Sequence, residues 1–514
     1  MADEHVDIVI SGAGPNGLML AYELALAGIR PIVLDKLPGP SPEPKANGLV
    51  GQIVRMLNMR GLYQELSGDA GRPQPSTGWM FAAMPLNLNG LRDNSLYTML
   101  IPQPRLVELL QRRARGLGVD VRWGHTLTDL QSRSESVAVE VSAPKHDYDI
   151  AASYLVGADG GRSLVRKTLG IAFPGSTSPT IGRLAHVHIP DELRSAEGDV
   201  VIPGLGRLPH GHSRFDRGGL LFADFEPGRS LLGTIEFGPP VGDEPMTLAE
   251  LRHSVRRVIG VDIPLTAPKG AGPHALRRVN GQHTRHAEHY RRGPVLLLGD
   301  AAHVHSPMGG PGLNLGLQDA MNLGWKLAAQ INGWAPEGLL DTYESERHPV
   351  GQRVMMHTLA QTALMAPGPE VAALRTVLGE LFTIPEVTKQ LAALLAGSDV
   401  SYDVGDDHPL SGRVVPDLMT AAGQRVDELL HDARPVLLDL TGGLAAAVPG
   451  WADRVTVIPA SIPDPPAAAM LIRPDGYVVW ATDTSGPTAE DGLRAALGRW
   501  FGCQGRSSSG SAAV

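Results

Sequence analysis

The chain has 514 residues, 43% of them hydrophobic and 19% charged, with a net charge of −9 from 45 basic and 54 acidic side chains. That length predicts about three structural units rather than a single core, and the negative balance argues against nucleic acid or an anionic membrane surface as a partner. No uncharged apolar run reaches the roughly 18 residues of a membrane span.

The first residues, Met1 to Asp7, are acidic and lack the basic stretch of a secretory signal. Val6–Ile10 reads as a buried strand, Gly12-Ala-Gly14-Pro15-Asn16-Gly17 as a tight turn, and Leu18–Ala27 as a helix closed by Gly28. Pro31–Leu34 is the second strand and ends at Asp35. A glycine triple alone is a weak signal. Here it follows a strand, opens a helix and has an acidic residue at the end of the next strand, which is the context a dinucleotide fingerprint requires. In that reading Gly12 permits the turn, Gly14 admits a pyrophosphate, Gly17 lets helix and strand pack closely, and Asp35 accepts from a ribose hydroxyl. The alternative is a βα turn without a ligand.

A proline-rich loop (Pro38, Pro40, Pro42, Pro44) leads to a helix predicted over Gln52–Leu62 and to short strands over 73–100. Arg105–Leu117 reads as a helix and Val119–Arg122 as a strand. Tyr154–Ala158 is a strand that runs into Asp159-Gly160-Gly161-Arg162-Ser163, with Arg166 one helical turn beyond Arg162. That segment reads either as a capped helix with exposed arginines or, beside the fingerprint, as a second nucleotide contact. From Pro174 to Val279, glycine, proline and histidine are frequent and helical periodicity is mostly absent, which predicts an inserted β-rich domain. Its paired histidines, His186 with His188 and His210 with His212, read as strand or surface residues, with contact to an acidic phenol as the alternative.

Val295–Leu298 is an apolar strand ending abruptly in Gly299-Asp300, and a glycine-rich loop follows that becomes a helix near Leu313. A carboxylate at a strand end accepts from ligand hydroxyls, a glycine loop lets a planar ligand approach the backbone, and a helix start favours developing negative charge. Together these describe the ribitol and isoalloxazine of a flavin. His303 and His305 converge poorly for a metal and have no third ligand at a useful spacing, so no metal is expected. Trp325 shares a helical face with Leu317, Met321 and Ala328 and reads as core. Residues 313–400 are expected to be helical, broken at Pro349.

Beyond Pro409, strands are expected at Val436–Leu440, Val455–Ile458, Met470–Ile472 and Tyr477–Trp480, with a turn at Arg473-Pro-Asp-Gly476 and a final helix to Trp500. Cys503 is the only cysteine, which excludes an internal disulfide, a CxxC pair and a zinc knuckle. Residues 504–514 form a low-complexity tail expected to be disordered. There is no Gly-x-Ser-x-Gly, Walker loop or His-Glu-x-x-His motif. A cytoplasmic enzyme with a non-thiol cofactor fits best.

Taken in order, Gly12–Gly17, Tyr154–Ser163 and Leu298–His303 resemble the class A FAD-dependent aromatic monooxygenases of the para-hydroxybenzoate hydroxylase fold, over essentially the whole ordered chain. Asn314–Ala320, Asn322–Lys326 and Tyr343–Pro349 are similar to the subgroup of polyketide hydroxylases and rifampicin monooxygenases. Leu471–Trp480 is similar to the thioredoxin-like C-terminal domain of that subgroup, which lacks redox cysteines. The resemblance implies an α/β fold: a Rossmann-like FAD-binding domain (1–72, 101–173 and 280–400, with a helical extension), an inserted β-rich substrate domain (73–100 and 174–279) and a thioredoxin-like domain (405–503).

It also implies residue roles. Asp300 would bind ribitol, and Pro307 with Gly310, Gly312, Leu313 and Asn314 would line the isoalloxazine. Gln103 would contact the flavin, Leu127 the adenine end through its backbone, and Asp159 with Gly160 the pyrophosphate–ribitol region. Gly12, Gly14, Pro15, Asn16, Gly17, Asp35 and Lys36 complete the cofactor set. Lys45 and Gln52 stand where relatives usually carry arginine, and Pro311 replaces a frequent glutamine. Lysine does not reproduce arginine's planar fork. NADPH or NADH would reduce the flavin, O2 would add at C4a, and the hydroperoxide would pass oxygen to a polycyclic aromatic polyketide or related natural product. Met80, Phe81, Met99, Phe222 and Phe237 are candidates to line a dry substrate pocket. Baeyer–Villiger or other oxidative rearrangement, and a FAD-binding protein with no oxygenase role, are the alternatives, and a homodimer is left open.

Overall fold

The computed structural model describes residues 4–503 except 197, 227, 243 and 269–273, so the expected tail 504–514 lies outside the described residues. Five parallel strands form the centre of the first sheet, in the order Val295–Leu297, Tyr148–Gly157, Glu4–Ser11, Ile32–Asp35 and Asp120–Trp123. Helices cover parallel sheets, so such strands read as continuous apolar runs; Ile8-Val-Ile10 and Val295-Leu-Leu297 are fully buried. In register, Ser11 sits beside both Leu34 and Gly157, and Gly157 beside Leu297. The strands therefore finish at one edge, and Gly12, Asp35, Asp159 and Asp300 all follow immediately on it. That edge is where open α/β sheets bind ligands.

A second, six-stranded antiparallel sheet has the order Gly211–Phe215, Gly218–Glu226, Arg229–Phe237, Gly175–Val187, Arg277–His286, His303–Val304. Its last strand begins three residues after Asp300, so the two sheets meet at the glycine loop. One face packs on a helix, Leu248–Ile259, through Leu251, Val255 and Val258. The expectation of little helix in this region misses that element. Its signals are the Thr247 side chain accepting from the Glu250 amide at 3.2 Å and Gly260 ending the helix in the left-handed region.

Two other expectations need correction. The helix predicted over Gln52–Leu62 ends at Asn58, and a separate short helix, Tyr63–Ser67, follows it. Pro349 does not break its helix, which runs from Thr342 to Met365. Proline removes one hydrogen bond to the carbonyl four residues back, here that of Ser345, and both residues are exposed, on the face of the helix where such a loss is least costly.

The C-terminal residues form a four-stranded sheet ordered Thr456–Pro459, Val436–Asp439, Ala469–Ile472, Val478–Thr482, packed by the helix Pro487–Phe501. Its hairpin turn is driven into the rest of the molecule. Arg473, fully buried, donates to both oxygens of Glu346 at 2.7 and 2.9 Å and to Asp475 at 3.0 Å. Lys326 and Asn322 of the long helix Pro311–Ile331 also donate to Glu346, at 2.8 and 2.6 Å. Burial by itself would raise the Glu346 pKa, but Arg473 and Lys326 hold it down at about 2. Arg60 links the Pro474 carbonyl, at 2.7 Å, to Glu23 of the fingerprint helix. Among the described residues no helix is long and apolar enough to cross a membrane.

Candidate functional site

The strand ends border a cleft of about 1180 Å3, above the roughly 300–1,000 Å3 usual for one small ligand, which leaves room for a large cofactor and a second molecule. Each fingerprint glycine has a separate reason to lack a side chain. Gly12 has φ +115°, and a Cβ there would overlap the Ala158 carbonyl. A Cβ on Gly17 would strike the Gly12 carbonyl, while Gly14 has nothing within 4 Å and opens on the cleft. The helix Pro15–Leu26 begins without a side-chain cap, so its first amides have no side-chain acceptor and are free to meet a pyrophosphate.

Asp35 lines the cleft and also holds the turn, its two oxygens accepting from the Ala13 and Leu37 amides at 2.8 and 2.9 Å. Asp159 caps the following short helix, with one oxygen accepting from Leu164 and Val165 at 2.7 and 3.2 Å. Its other oxygen is buried without a partner. Arg166 is not a ligand contact: it is buried, donates to the Ala301 carbonyl at 2.7 Å and stacks over Phe173, tying the second motif to the third. Arg162 and Gly160 line the cleft.

Asp300 has no protein hydrogen-bond partner among the described residues, and its carboxyl is reached through the cleft. The surrounding protein desolvates it and raises its pKa, against the opposing pull of His303 and Lys45. Such a carboxylate is completed by ligand hydroxyls. The loop then turns through Gly309 and Gly310, both left-handed, and Pro311 takes the first helical position. A proline there gives up an N–H that has no helical partner anyway, so its departure from the usual glutamine does not disturb the helix start. Behind the loop, Asp319 accepts from His303 and Arg347, each at 2.7 Å, all three buried. That brace was not read from the sequence.

Of the residues expected at the cofactor, Gly12, Gly14, Pro15, Asn16, Asp35, Lys36, Lys45, Gln103, Leu127, Asp159, Gly160, Asp300, Pro307, Gly310, Gly312 and Leu313 line this one cleft. Gly17 and Asn314 do not. Asn314 instead joins the helix start to a neighbouring strand, accepting from the Val50 amide at 3.2 Å and donating to Gly310 at 2.9 Å.

Among the residues expected at the substrate, only Met80 lines the cleft. Phe81 packs edge-on against Phe382 at 6.2 Å, Met99 joins the main core and Phe222 the core under the helix Leu248–Ile259. Phe237 borders a separate groove. The lining residues are instead the strand neighbours Thr98, Leu100, Leu221 and Ala223, with Trp79, His210, His212, Leu231 and Gln361. Side chains alternate between faces, and an apolar residue suits a core face as well as a ligand face, so the pattern by itself could not assign them.

A parallel sheet with a glycine-lined cleft at its strand ends, an unpaired acidic residue and an uncapped helix start facing it define a dinucleotide-binding flavoprotein. A family model described as FAD binding domain matches residues 5–358, and one described as aromatic-ring hydroxylase, C-terminal, matches residues 408–503. The chain belongs to this family of FAD-dependent aromatic-ring hydroxylases and is a monooxygenase. It is 41% identical to 12-dehydrotetracycline 5-monooxygenase/anhydrotetracycline 6-monooxygenase of Streptomyces rimosus, over 96% of this chain and 99% of that one. It is 37% identical to a rifampicin monooxygenase of Streptomyces venezuelae, over 96% and 98%. The solved structure of an anhydrotetracycline hydroxylase from Streptomyces rimosus superposes with a TM-score of 0.85 at 39% identity, covering 98% of this chain and all of that one.

Proposed function

We propose that this enzyme hydroxylates a polycyclic aromatic polyketide or a related natural product, with NADPH or NADH as electron donor and O2 as co-substrate. The observation that carries the reading is a single cleft with two unlike walls. One is made by the dinucleotide motifs, the other by an antiparallel sheet face bearing Leu221, Ala223 and Leu231. The relatives named above act on tetracycline- and rifamycin-type molecules by their names, and the size of the cleft suits such a substrate beside the cofactor.

When bound, FAD supplies hydride acceptance and oxygen activation, chemistry no side chain here performs. Asp300 and Asp159 would accept from its hydroxyls, and Gly14 and the start of the helix Pro15–Leu26 would receive its phosphates. The uncapped start of Pro311–Ile331 would favour negative charge on it. Met80, Leu221, Ala223 and Leu231 exclude water from the second molecule. In the same reading, residues 1–72, 101–173 and 280–400 hold the flavin and 73–100 with 174–279 enclose the substrate. Residues 405–503 are a thioredoxin-like unit without redox thiols, a reading supported by the mixed four-stranded sheet and its single exposed cysteine, Cys503.

The test is direct. The purified protein should be yellow, oxidise NADPH faster when a polycyclic phenol is added, and yield a product one oxygen atom heavier with its ring connectivity kept. Absence of flavin, or a flavin that NADPH does not reduce with any such ligand, overturns the reading. A product with oxygen inserted into a ring assigns Baeyer–Villiger chemistry instead.

A further inference from the structure

Strand register decides which side chains of the antiparallel sheet reach the cavity. His212 stands opposite Leu221, and Ala223 opposite Leu231, and all four line the cleft. Phe222, paired with Gly211, lies on the other face and is fully buried. His212 is thus a polar side chain set in an apolar row.

Two other polar side chains of this wall, Asp224 and Gln361, are already engaged, whereas the Trp79 indole N–H is buried without a partner and His210 is held only through its ring. Asp224 accepts from Arg194 at 2.7 Å and from Ser230 at 2.5 Å. Gln361 accepts from the Ala82 amide at 3.1 Å and lies 3.2 Å from His357 Nδ1. His210 packs its ring edge-on against Phe222 at 4.9 Å. For His212 no hydrogen bond to either ring nitrogen is found among the described residues. Desolvation by the surrounding protein lowers its pKa to about 4, so at neutral pH the ring carries one N–H donor and one bare lone pair. The half-buried ring opens on the cleft, so a ligand hydroxyl that displaces water there can take its unused donor or acceptor.

Charge narrows the ligand further. Of the Lys and Arg side chains bordering the cleft, Lys36 and Arg162 belong to the dinucleotide motifs and Lys45 acts electrostatically on Asp300. Arg194 is held by Asp224, and Arg214 donates to the Ala366 carbonyl at 2.9 Å. This wall therefore leaves a carboxylate uncompensated.

We propose that His212 is the hydrogen-bond partner of an uncharged substrate hydroxyl, a phenol or enol on a polycyclic ring, and that the pocket rejects aromatic carboxylates. The proposal rests on the hydroxylase reading above.

The experiment uses the full-length, FAD-loaded protein and three probes: the phenolic anthraquinone alizarin, its dimethyl ether and an anthraquinone monocarboxylate. Binding is read from perturbation of the flavin spectrum. The wild type should bind alizarin about tenfold tighter than either other probe, the scale of one desolvated hydrogen bond. His212→Leu should bind alizarin about tenfold more weakly and no longer discriminate against the ether. His212→Gln, which keeps a donor and an acceptor, should retain most of the preference, with FAD content unchanged in both variants. A leucine variant with full FAD content and wild-type alizarin affinity overturns the proposal and leaves the hydroxylase reading intact. So does a carboxylate bound as tightly as alizarin, or loss of FAD from both variants, which makes His212 structural. A wild type that binds alizarin no better than the ether and the carboxylate, or binds none of the three, overturns the proposal, while the hydroxylase reading is decided separately by flavin content and NADPH oxidation.

Discussion

Asp300 shows how a single residue is left open for a ligand. Its carboxyl is exposed to the cleft and has no protein partner among the described residues, so ligand hydroxyls supply the hydrogen bonds that the protein does not. Asp300→Ala should therefore weaken FAD binding by about 1.5–3 kcal/mol, roughly tenfold to a hundredfold in Kd, the value of hydrogen bonds to a charged acceptor. The same substitution should leave the thermal stability of the flavin-free protein unchanged. The ratio of flavin to protein absorbance and a melting curve measure the two effects. Full flavin retention, or a large loss of apo stability, would contradict the ribitol role. Residues of this kind are legible in sequence because local backbone demands them: Gly12 and Gly17 admit no Cβ, and Asp300 is fixed by the strand it ends. The brace of Asp319, His303 and Arg347 was not legible, because its partners are 16 and 28 residues apart and meet only when the long helix folds against the loop.

At the scale of an element, the hairpin of Gly78–Phe81 and Met84–Asn87 borders the same cleft. Its two-residue turn is Ala82-Ala83, with φ of +51° and +60°, a conformation usually given to Asn-Gly. Both alanines border the cleft, the Ala82 amide donates to Gln361 and its carbonyl accepts from Arg375 at 2.6 Å. A left-handed alanine costs about 1–2 kcal/mol, while glycine loses roughly 0.5–1 kcal/mol in chain entropy. Ala83→Gly should then raise stability by up to about 1 kcal/mol and leave FAD binding as it is. A denaturation midpoint moving down instead would show that the turn is unstrained. Neighbouring Met80 and Phe81 illustrate the limit of element-level reading: both are large and apolar and lie on opposite faces, and only the tertiary partner of each face makes one a cavity residue and the other a core residue.

At the scale of the whole molecule, the C-terminal unit is bolted to the two helices that serve the cleft. Arg473 reaches Glu346 and Asp475, and Arg60 connects the same hairpin to Glu23 of the fingerprint helix. Removing one member of a buried ionic network strands the others and costs about 3–5 kcal/mol. Arg473→Ala should lower unfolding stability by that amount and reduce FAD retention, although the side chain does not line the cleft. Equilibrium denaturation with and without added FAD tests this, and flavin content equal to wild type would show that the C-terminal unit does not support the cofactor site.

The sequence by itself determined the order of strands and helices in the nucleotide fold, the glycine turns, the acidic strand ends and the start of the long helix. Each is specified by short-range demands on the backbone: positive φ, close approach, or a run of residues buried on both faces. The tertiary structure alone decided which strand faces form the substrate wall, which polar groups of that wall are already satisfied, and how Arg473 and Arg60 secure the C-terminal hairpin. Those outcomes depend on what is packed opposite each side chain. A two-residue periodicity assigns residues to alternate faces but carries no information about which face meets the cavity and which meets a helix.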